Sequence, residues 1–281
     1  MTYQNRDWEV IDYALYKLEG TERALRGPRP PMPLVAEGYF VCLGAAQTFG
    51  PFCERPFPAL LSERLGLPAL NLGFAGAGPR YFLKHEALFR IINQARFAVV
   101  QVMSGRSVDN SLFQSDGQEL LTRRADGTRL GAEPAYRELL AGSPIETVKR
   151  IVAETRGNWS KDYQALLHAI EIPTIQFWFS RRRPRYRESY SDVHALFGEF
   201  PHLVTAKMNK GLKRYTSRYV ECVTKRGLPQ PLISRFTGQP TTVMDRADLG
   251  GQAWTHNSYY PSPEMHMDAA TALEPVSRAW T

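Results

Sequence analysis

Cysteine is scarce in this chain, and the three that occur, Cys42, Cys53 and Cys222, are not spaced like the ligands of a metal site. Long apolar runs are missing too, since no stretch of about 18 apolar residues occurs, so no membrane span is predicted. The first twenty residues carry charges throughout and lack the apolar core of a signal peptide. Together these absences predict a cytoplasmic protein with reduced thiols and no bound metal.

Several binding motifs are also absent. The chain has no Gly-x-x-x-x-Gly-Lys and no Gly-x-Gly-x-x-Gly turn, so neither a P-loop nor a dinucleotide fingerprint is supported. It has no helix-turn-helix, zinc-finger or RNP pattern, which makes nucleic acid an unexpected partner. No repeat of 20–50 residues is evident. Because hydrophobic residues make up 43% of the 281, the sequence indicates a globular protein with a sizeable core.

Positive charge is in excess, with a formal net charge of +7, and this favours anionic partners. The charge is concentrated in "SRRRPRYR" (180–187), which holds five arginines in eight positions and lies in "FWFSRRRPRYRESYSD" (177–192), where aromatic residues are mixed with the arginines. One interpretation is a solvated basic loop. The other is a loop that binds phosphate, sulfate or carboxylate groups while aromatic rings stack on sugars or bases.

Strand-like and helix-like segments alternate along the chain. Buried strands are predicted at 39–44, 68–73, 97–103 and 172–180, and a fifth at 239–245. Helices are predicted at 6–19, 56–67, 80–95, 144–171 with a break near Gly157, 203–227, and 262–280 with Ser262 as N-cap. This alternation predicts one three-layer α/β/α domain with a mostly parallel, flavodoxin-like sheet. The domain is expected at 34–281, with insertions near 104–142 and 180–202, after a helical extension and Pro-rich linker at 1–33.

Three short stretches follow the first three predicted strands: "GAAQTFG" (44–50), "NLGFAGAGP" (71–79) and "SGRSVDN" (104–110). In parallel sheets, ligands bind beyond the carboxyl ends of the strands, so these stretches are expected to share one edge. Near the C-terminus, "PEMH" (263–266) opens the last predicted helix.

In order and spacing, these blocks resemble those of the SGNH (GDSL) hydrolase superfamily, which reads Gly-Asp-Ser-x-Thr-x-Gly, Asn-x-Gly-x-x-Gly, Gly-x-Asn-Asp and Asp-x-x-His. The resemblance implies an SGNH-like fold, Gly73 and Asn110 as oxyanion donors, and His266 as the base. Two positions depart from the pattern. Ala46 stands where the serine nucleophile would be, and Pro263 stands where the aspartate that orients the histidine would be, with Glu264 the nearest carboxylate. Simple serine-hydrolase chemistry at position 46 is therefore excluded.

A second resemblance is to acetyltransferases assigned to capsular-polysaccharide biosynthesis, whose first strand is followed by Gly-Asn-Cys-Gln; "GAAQ" (44–47) keeps Gly44 and Gln47. The whole chain is also similar to an uncharacterised bacterial family, which implies no activity.

Together these observations support two hypotheses. In the first, the protein transfers a group from an anionic small-molecule donor, an acyl-CoA or a phosphoadenosine-type sulfonucleotide, to a carbohydrate hydroxyl of a glycan acceptor with His266 as base. In the second, it is a non-catalytic binding protein for an acidic glycan or a nucleotide. Both use the same expected donor-binding or ligand-binding residues: Gly44, Gln47, Thr48, Asn71, Gly76, Ser104, Arg106, Ser107, Arg181, Arg182, Arg183 and Glu264.

Alternatives stay open for several of these residues. His266 is either a functional group or a capping histidine, with His256 as a rival. The Ser104–Ser107 turn either binds an anion or only leads into the polar region 104–142. Cys53, the thiol nearest the first turn, would be a nucleophile only in an electropositive, partly exposed setting.

Overall fold

The computed structural model describes residues 3–19, 21–244 and 251–281. Within these ranges the strands β1 to β12 are, in order, Phe40–Gly44, Ala69–Gly73, Ala98–Gln101, Phe113–Gln114, Leu120–Arg123, Arg129–Gly131, Thr174–Ser180, Arg218–Val223, Gln230–Pro231, Val243–Met244, Ala253–Trp254 and His256–Asn257. The helices α1 to α10 are Tyr3–Asp7, Ala46–Phe49, Phe57–Leu65, Pro79–Leu83, Ala87–Ile92, Ala132–Gly142, Ile145–Ala169, Val193–Phe197, Ala206–Leu212 and Pro263–Ser277. Short 3-10 turns occupy Lys213–Tyr215 and Arg278–Trp280.

The centre of the molecule is a five-stranded sheet in the order β2-β1-β3-β7-β8, with every neighbouring pair parallel. The strand order reverses between β1 and β3, which is the point where open α/β sheets hold ligands. Confirming the predicted three-layer α/β/α architecture, the sheet is covered on both faces. In β1, Val41 and Leu43 face a core shared with α7, whereas Phe40 and Cys42 face a core shared with α3 and α10.

The region 104–142 has more structure than its weak periodicity predicts. Strands β4, β5 and β6 form an antiparallel sheet, and α6 follows it directly. Tyr136 of α6, Ile151 of α7 and Phe197 of α8 share a third core beneath this sheet. Arg80 ties the insertion to the main domain, because its guanidinium pairs with Asp162 of α7 and with Asp109 of the insertion. The insertion is therefore anchored on two sides.

Four of the five strands of the central sheet are confirmed. The predicted C-terminal helix is confirmed as well, and Ser262 caps it, with Oγ accepting from Met265 N. Helix α7 runs through Gly157 without a break. The helix predicted at 80–95 is divided into α4 and α5.

Three predictions are wrong. Residues 8–19 form no helix, because burial falls on Ile11, Tyr13, Tyr16 and Leu18 with a spacing near two, and Tyr16 pairs with Leu25 as in a strand. The predicted helix at 203–227 ends at Leu212, and its second half contains β8, the fifth strand of the sheet. The strand predicted at 239–245 is reduced to β10, which pairs with β11 outside the central sheet; residue 245 lies outside the described ranges.

None of the helices within the described ranges combines the length and apolar composition needed to cross a bilayer.

Candidate functional site

The turn after β1 is built for close packing rather than for nucleophilic attack. Gly44 lies against Thr48 and Gln101, and a side chain at position 44 would collide with both. The Oε1 atom of Gln101 accepts hydrogen bonds from Ala45 N at 3.0 Å and Thr48 Oγ1 at 2.8 Å. Ala46 is 6% exposed and lies in an apolar cluster with Tyr260. Position 46 therefore has neither a nucleophilic atom nor open access.

The second block is also occupied by internal contacts. Gly73 N, the expected oxyanion donor, donates to Asn71 Oδ1 at 2.9 Å, and Asn71 Nδ2 donates to Thr48 O at 2.9 Å. A Cβ at Gly73 would lie 2.2 Å from Phe49 N, so the glycine allows α2 to pack on β2. Gly76, with a φ of +67°, packs against the side chain of Glu119. These contacts correct the expected role of Gly73, because its N–H already has an acceptor.

Asn110 lies away from this turn and within the insertion. Its Nδ2 donates to Thr155 Oγ1 at 3.0 Å and to Tyr136 OH at 3.3 Å. Its Oδ1 accepts from the backbone N–H groups of Leu112 and Phe113. Because the amide is fully engaged in holding the insertion on α7, the oxyanion role expected for Asn110 is not assigned to it.

His266 lies in the first turn of α10 and is completely buried between Phe57 and Phe179. Its Nδ1 accepts from Phe57 N at 3.1 Å, so the proton of the neutral ring is on Nε2, which has no partner. Burial, together with the Arg26 charge, lowers the pKa of His266 to about 3. Among the described residues no carboxylate hydrogen-bonds to the ring, and Glu264 lies beside Gly227. In this arrangement the imidazole joins α10 to α3.

Two other candidate residues near the turn, Gln47 and Cys53, are buried. Gln47 Oε1 and Gln101 Nε2 both lack hydrogen-bond partners, so the turn contains unpaired polar atoms but no charge. Burial raises the pKa of the Cys53 thiol to about 12, and the thiol is enclosed. Cys53 therefore lacks the exposed, electropositive setting that a cysteine nucleophile needs.

The consecutive arginines after β7 have three different environments. Arg182 turns inward, and its five N–H groups donate to the carbonyl oxygens of Arg183, Pro184, Glu199, Pro201 and Val204. Burial lowers the pKa of Arg182 to about 10. With every donor engaged, Arg182 cannot also hold an anion, which corrects the expectation for this residue.

The neighbours of Arg182 face outward. Arg181 donates to Ser258 O at 2.7 Å and pairs with Glu199, so it links this loop to the segment that carries Tyr259. Arg183 is exposed, and its guanidinium has no partner among the described residues; Arg185 and Arg187 share both properties. We call residues 181–187 the arginine loop.

At the carboxyl end of β3 the structure assembles a polar group that we call the rim site: Ser104, Arg106, Glu119, His202 and Tyr259. Ser104 Oγ lies 3.2 Å from His202 Nδ1, and Arg106 N donates to Ser104 Oγ at 3.3 Å. The Arg106 guanidinium contacts Glu119 Oε2 and Tyr259 OH, each at 3.4 Å. The ring of Tyr259 is stacked on that of His202 with centroids 6.4 Å apart.

Sequence reasoning placed Ser104 and Arg106 at this edge but missed His202, Glu119 and Tyr259. Ser107 follows in the same turn, buried, and its backbone oxygen approaches Gly78. His202 comes from the far end of the second insertion, and Glu119 from the first, so only the tertiary fold brings them to β3. The only sequence feature that pointed to these three residues was the occurrence of polar and aromatic residues in segments that follow strands of the sheet.

No group of three or more His, Cys, Asp or Glu side chains placed to hold a metal ion occurs within residues 3–19, 21–244 and 251–281.

Comparisons with known proteins give a family match to part of the chain. The sequence model of a domain of unknown function, DUF6473, matches residues 1–118. No curated protein matches the chain in sequence.

Several solved structures resemble the chain at low identity. LAE5, an alpha/beta hydrolase from the metagenome of Lake Arreo, is 12% identical, with a TM-score of 0.44 over 88% of this chain and 98% of its own. A variant of the acetylxylan esterase Axe2 from Geobacillus stearothermophilus is 12% identical, with a TM-score of 0.39 over 86% and 94%. A protein assigned to the lipolytic G-D-S-L family of Desulfitobacterium hafniense is 12% identical, with a TM-score of 0.42 over 84% and 99%. Similarity at this level gives no residue a role.

Proposed function

We propose that the protein is a binding protein for an acidic polysaccharide, which it holds on the arginine loop beside the rim site. The observation that carries the proposal is the exposure of Arg183, Arg185 and Arg187, three guanidinium groups without partners on one loop. Arg55 and Arg137 are also exposed but pair with carboxylates. Arg90 and Arg150 are exposed without such a partner among the described residues, but each stands singly on a helix. Unpaired cations close together attract anions, and guanidinium groups bind carboxylate and sulfate through paired hydrogen bonds.

The spacing of the three arginines favours a polymer. Residues 183, 185 and 187 are exposed, whereas 184 and 186 between them are partly buried, as in an extended chain with alternate residues facing solvent. In extended backbone, every second residue is separated by about 6–7 Å. A ligand with regularly repeated negative charges can contact all three, whereas a single phosphate cannot.

The ring of Tyr186 in this loop is not placed to stack on nucleic-acid bases. Tyr186 lies under the Arg182 guanidinium at 4.6 Å, and its hydroxyl donates to Leu196 O and accepts from Arg156. Its ring is therefore committed to the loop's own packing. Proteins that bind single-stranded nucleic acid offer exposed rings on which bases stack, and Tyr186 does not.

Binding is favoured over group transfer through His266 because the expected catalytic groups are not assembled. Position 46 is a buried alanine, and the free nitrogen of His266 carries the proton in a sealed apolar site. A base must reach the hydroxyl that it deprotonates, and this imidazole has no route to one.

A titration with heparin oligosaccharide and with oligogalacturonate tests the proposal. Replacing Arg183, Arg185 and Arg187 together by Gln should weaken binding about tenfold or more, equivalent to ~1.4 kcal/mol. Binding by the wild-type protein should also weaken as salt is added, because the contacts are exposed.

A matched control removes the same charge elsewhere. Lys161, Lys207 and Lys210 are exposed on other helices, and their triple replacement by Gln should leave the affinity unchanged. Equal weakening in both triple variants would show that only net charge matters. Tighter binding of polyuridylic acid than of either glycan would replace the proposal with a nucleic-acid function.

A further inference from the structure

The rim site contains a serine and a histidine in the relation of a nucleophile to its base. Ser104 Oγ accepts from Arg106 N at 3.3 Å and lies 3.2 Å from His202 Nδ1. In the His202 tautomer that carries its proton on Nε2, Nδ1 accepts the serine hydroxyl proton. Both residues lie just below the surface, 4% and 7% exposed. Ser104 has no other side-chain partner, so the hydroxyl is committed to this one acceptor.

His202 is held in the form that can accept this proton. Burial lowers its pKa well below the usual value, and the nearby charges of Arg106, Arg182 and Arg181 act in the same direction, so the ring is neutral at neutral pH. Tyr259 stacks on one side, and Phe197 and Phe200 make edge or tilted contacts. Its Nε2 has no protein partner and is not among the fully buried unpaired atoms, so solvent reaches it.

The turn that carries Ser104 is fixed on the histidine. Gly105 N donates to His202 O at 2.8 Å, and a Cβ at Gly105 would lie 3.1 Å from that oxygen. This close approach of two backbones sets the distance between the serine and the imidazole. A Cβ at position 105 would require the histidine segment to shift by a few tenths of an ångström.

Arg106 supplies positive charge beside the pair. One of its nitrogens contacts Glu119 and Tyr259 at 3.4 Å, which are long hydrogen bonds that a ligand can replace. A guanidinium at this position would stabilise negative charge that develops on a carbonyl oxygen attacked by Ser104. It would also favour a substrate that is itself anionic.

We propose that Ser104 is a nucleophile activated by His202 and cleaves a carboxylic ester that carries a negative charge near its carbonyl group. This activity goes beyond ligand binding on the arginine loop and does not depend on it. Ser104 Oγ forms a bond to the carbonyl carbon as its proton passes to His202 Nδ1. The bond from that carbon to the alcohol oxygen then breaks, and His202 returns the proton to the departing alcohol.

The acyl group is released in a second step. Water gives a proton to His202 Nδ1 and adds to the acyl carbon, the bond to Ser104 Oγ breaks, and the proton returns to Ser104. The products are a carboxylic acid and an alcohol, and the enzyme is unchanged. No metal or redox partner enters either step.

Mass spectrometry of the intact protein after exposure to p-nitrophenyl acetate, followed by peptide mapping, tests this activity. The wild-type protein and Ser111→Ala, which changes an exposed serine outside the rim site, should gain one acetyl group on Ser104. Ser104→Ala should gain none, and Ser104→Cys should still be acylated. His202→Phe keeps an aromatic ring but has no base, so its acylation rate should fall roughly a hundredfold.

The charge preference is tested with the anionic ester p-nitrophenyl hemisuccinate. Wild-type protein should react with it faster than with the acetate, and Arg106→Gln should lose that preference. Acylation of Ser104→Ala at the wild-type rate, or no acylation of wild-type protein by either ester, would overturn the proposal. The Lys161, Lys207 and Lys210 triple variant should keep full acylation. Glycan binding is read by titration and acylation by the mass of Ser104, so a failure of one proposal is separable from a failure of the other.

Discussion

At the scale of single residues, burial determines what each histidine contributes. His266 lies in α10, and His202 lies at the end of the second insertion. Both rings are neutral because burial disfavours the charged form. They differ in access. His266 Nε2 is fully buried, whereas His202 Nε2 is not, and His202 Nδ1 lies 3.2 Å from the hydroxyl of Ser104. The same residue type is therefore structural in one place and suited to proton transfer in the other.

The burial of His266 predicts a pH dependence of stability. In the unfolded chain this histidine binds a proton below its ordinary pKa of 6.5, whereas in the folded protein it stays neutral down to about 3. Stability present above pH 6.5 is therefore lost as the pH falls towards 3, by about 2 kcal/mol at pH 5.

Urea unfolding at pH 7.5 and pH 5 should show this loss in the wild-type protein and a smaller one in His266→Asn, whose amide oxygen can still accept from Phe57 N. His194, which is 79% exposed at its side chain, gives the control. The interpretation fails if His266→Asn and His194→Asn show the same pH dependence.

Arg182 predicts a second residue-scale effect. Lysine keeps the charge but has a single nitrogen, so Arg182→Lys would leave several buried carbonyl oxygens without donors. We expect a loss of roughly 3 kcal/mol in the free energy of unfolding. Arg183→Lys should change it little, because Arg183 is exposed and unpaired. Thermal and urea unfolding of the two variants distinguish a structural Arg182 from an anion-binding one, since only the structural role predicts a large difference.

At the scale of elements, apolar runs located the buried strands well. β1, β2, β3 and β7 are short apolar segments bounded by Gly, Pro or polar residues, and their burial on both faces is what such runs indicate. The strand β8 was missed because it lies at the sheet edge and alternates exposed with buried residues after a helix. The residues around 11–18 were misread because four apolar side chains fit a helical spacing almost as well as an extended one.

Two glycines give opposite predictions for the same substitution. Gly73→Ala would place a methyl group 2.2 Å from Phe49 N and push α2 away from β2. The free energy of unfolding should fall by about 2–4 kcal/mol. Gly157 lies in α7 with open space around it, and Gly157→Ala should stabilise the protein by about 0.5–1 kcal/mol. Urea unfolding of each variant and of the wild-type protein tests both predictions. A stabilising Gly73→Ala would show that α2 does not pack closely on β2 at this glycine.

At the scale of the whole molecule, the strand order places the ends of β1 and β3 at one edge, and two insertions meet there. Sequence blocks predicted this edge correctly, because strands and their following turns are local. His202 and Glu119 could not be predicted, because their positions depend on how the insertions fold back over the sheet. The turn at Ala46 is filled by packing, and the polar side chains of the rim site lie after β3.

We propose that the arginine loop holds an acidic glycan. Hydrogen–deuterium exchange with saturating heparin oligosaccharide tests it most directly, because it reports where the ligand lies. We expect slower exchange in residues 181–190 and in the neighbouring segment around Tyr259, with no change in α9. Protection confined to other surfaces, or equal weak protection wherever lysine and arginine are exposed, would contradict it.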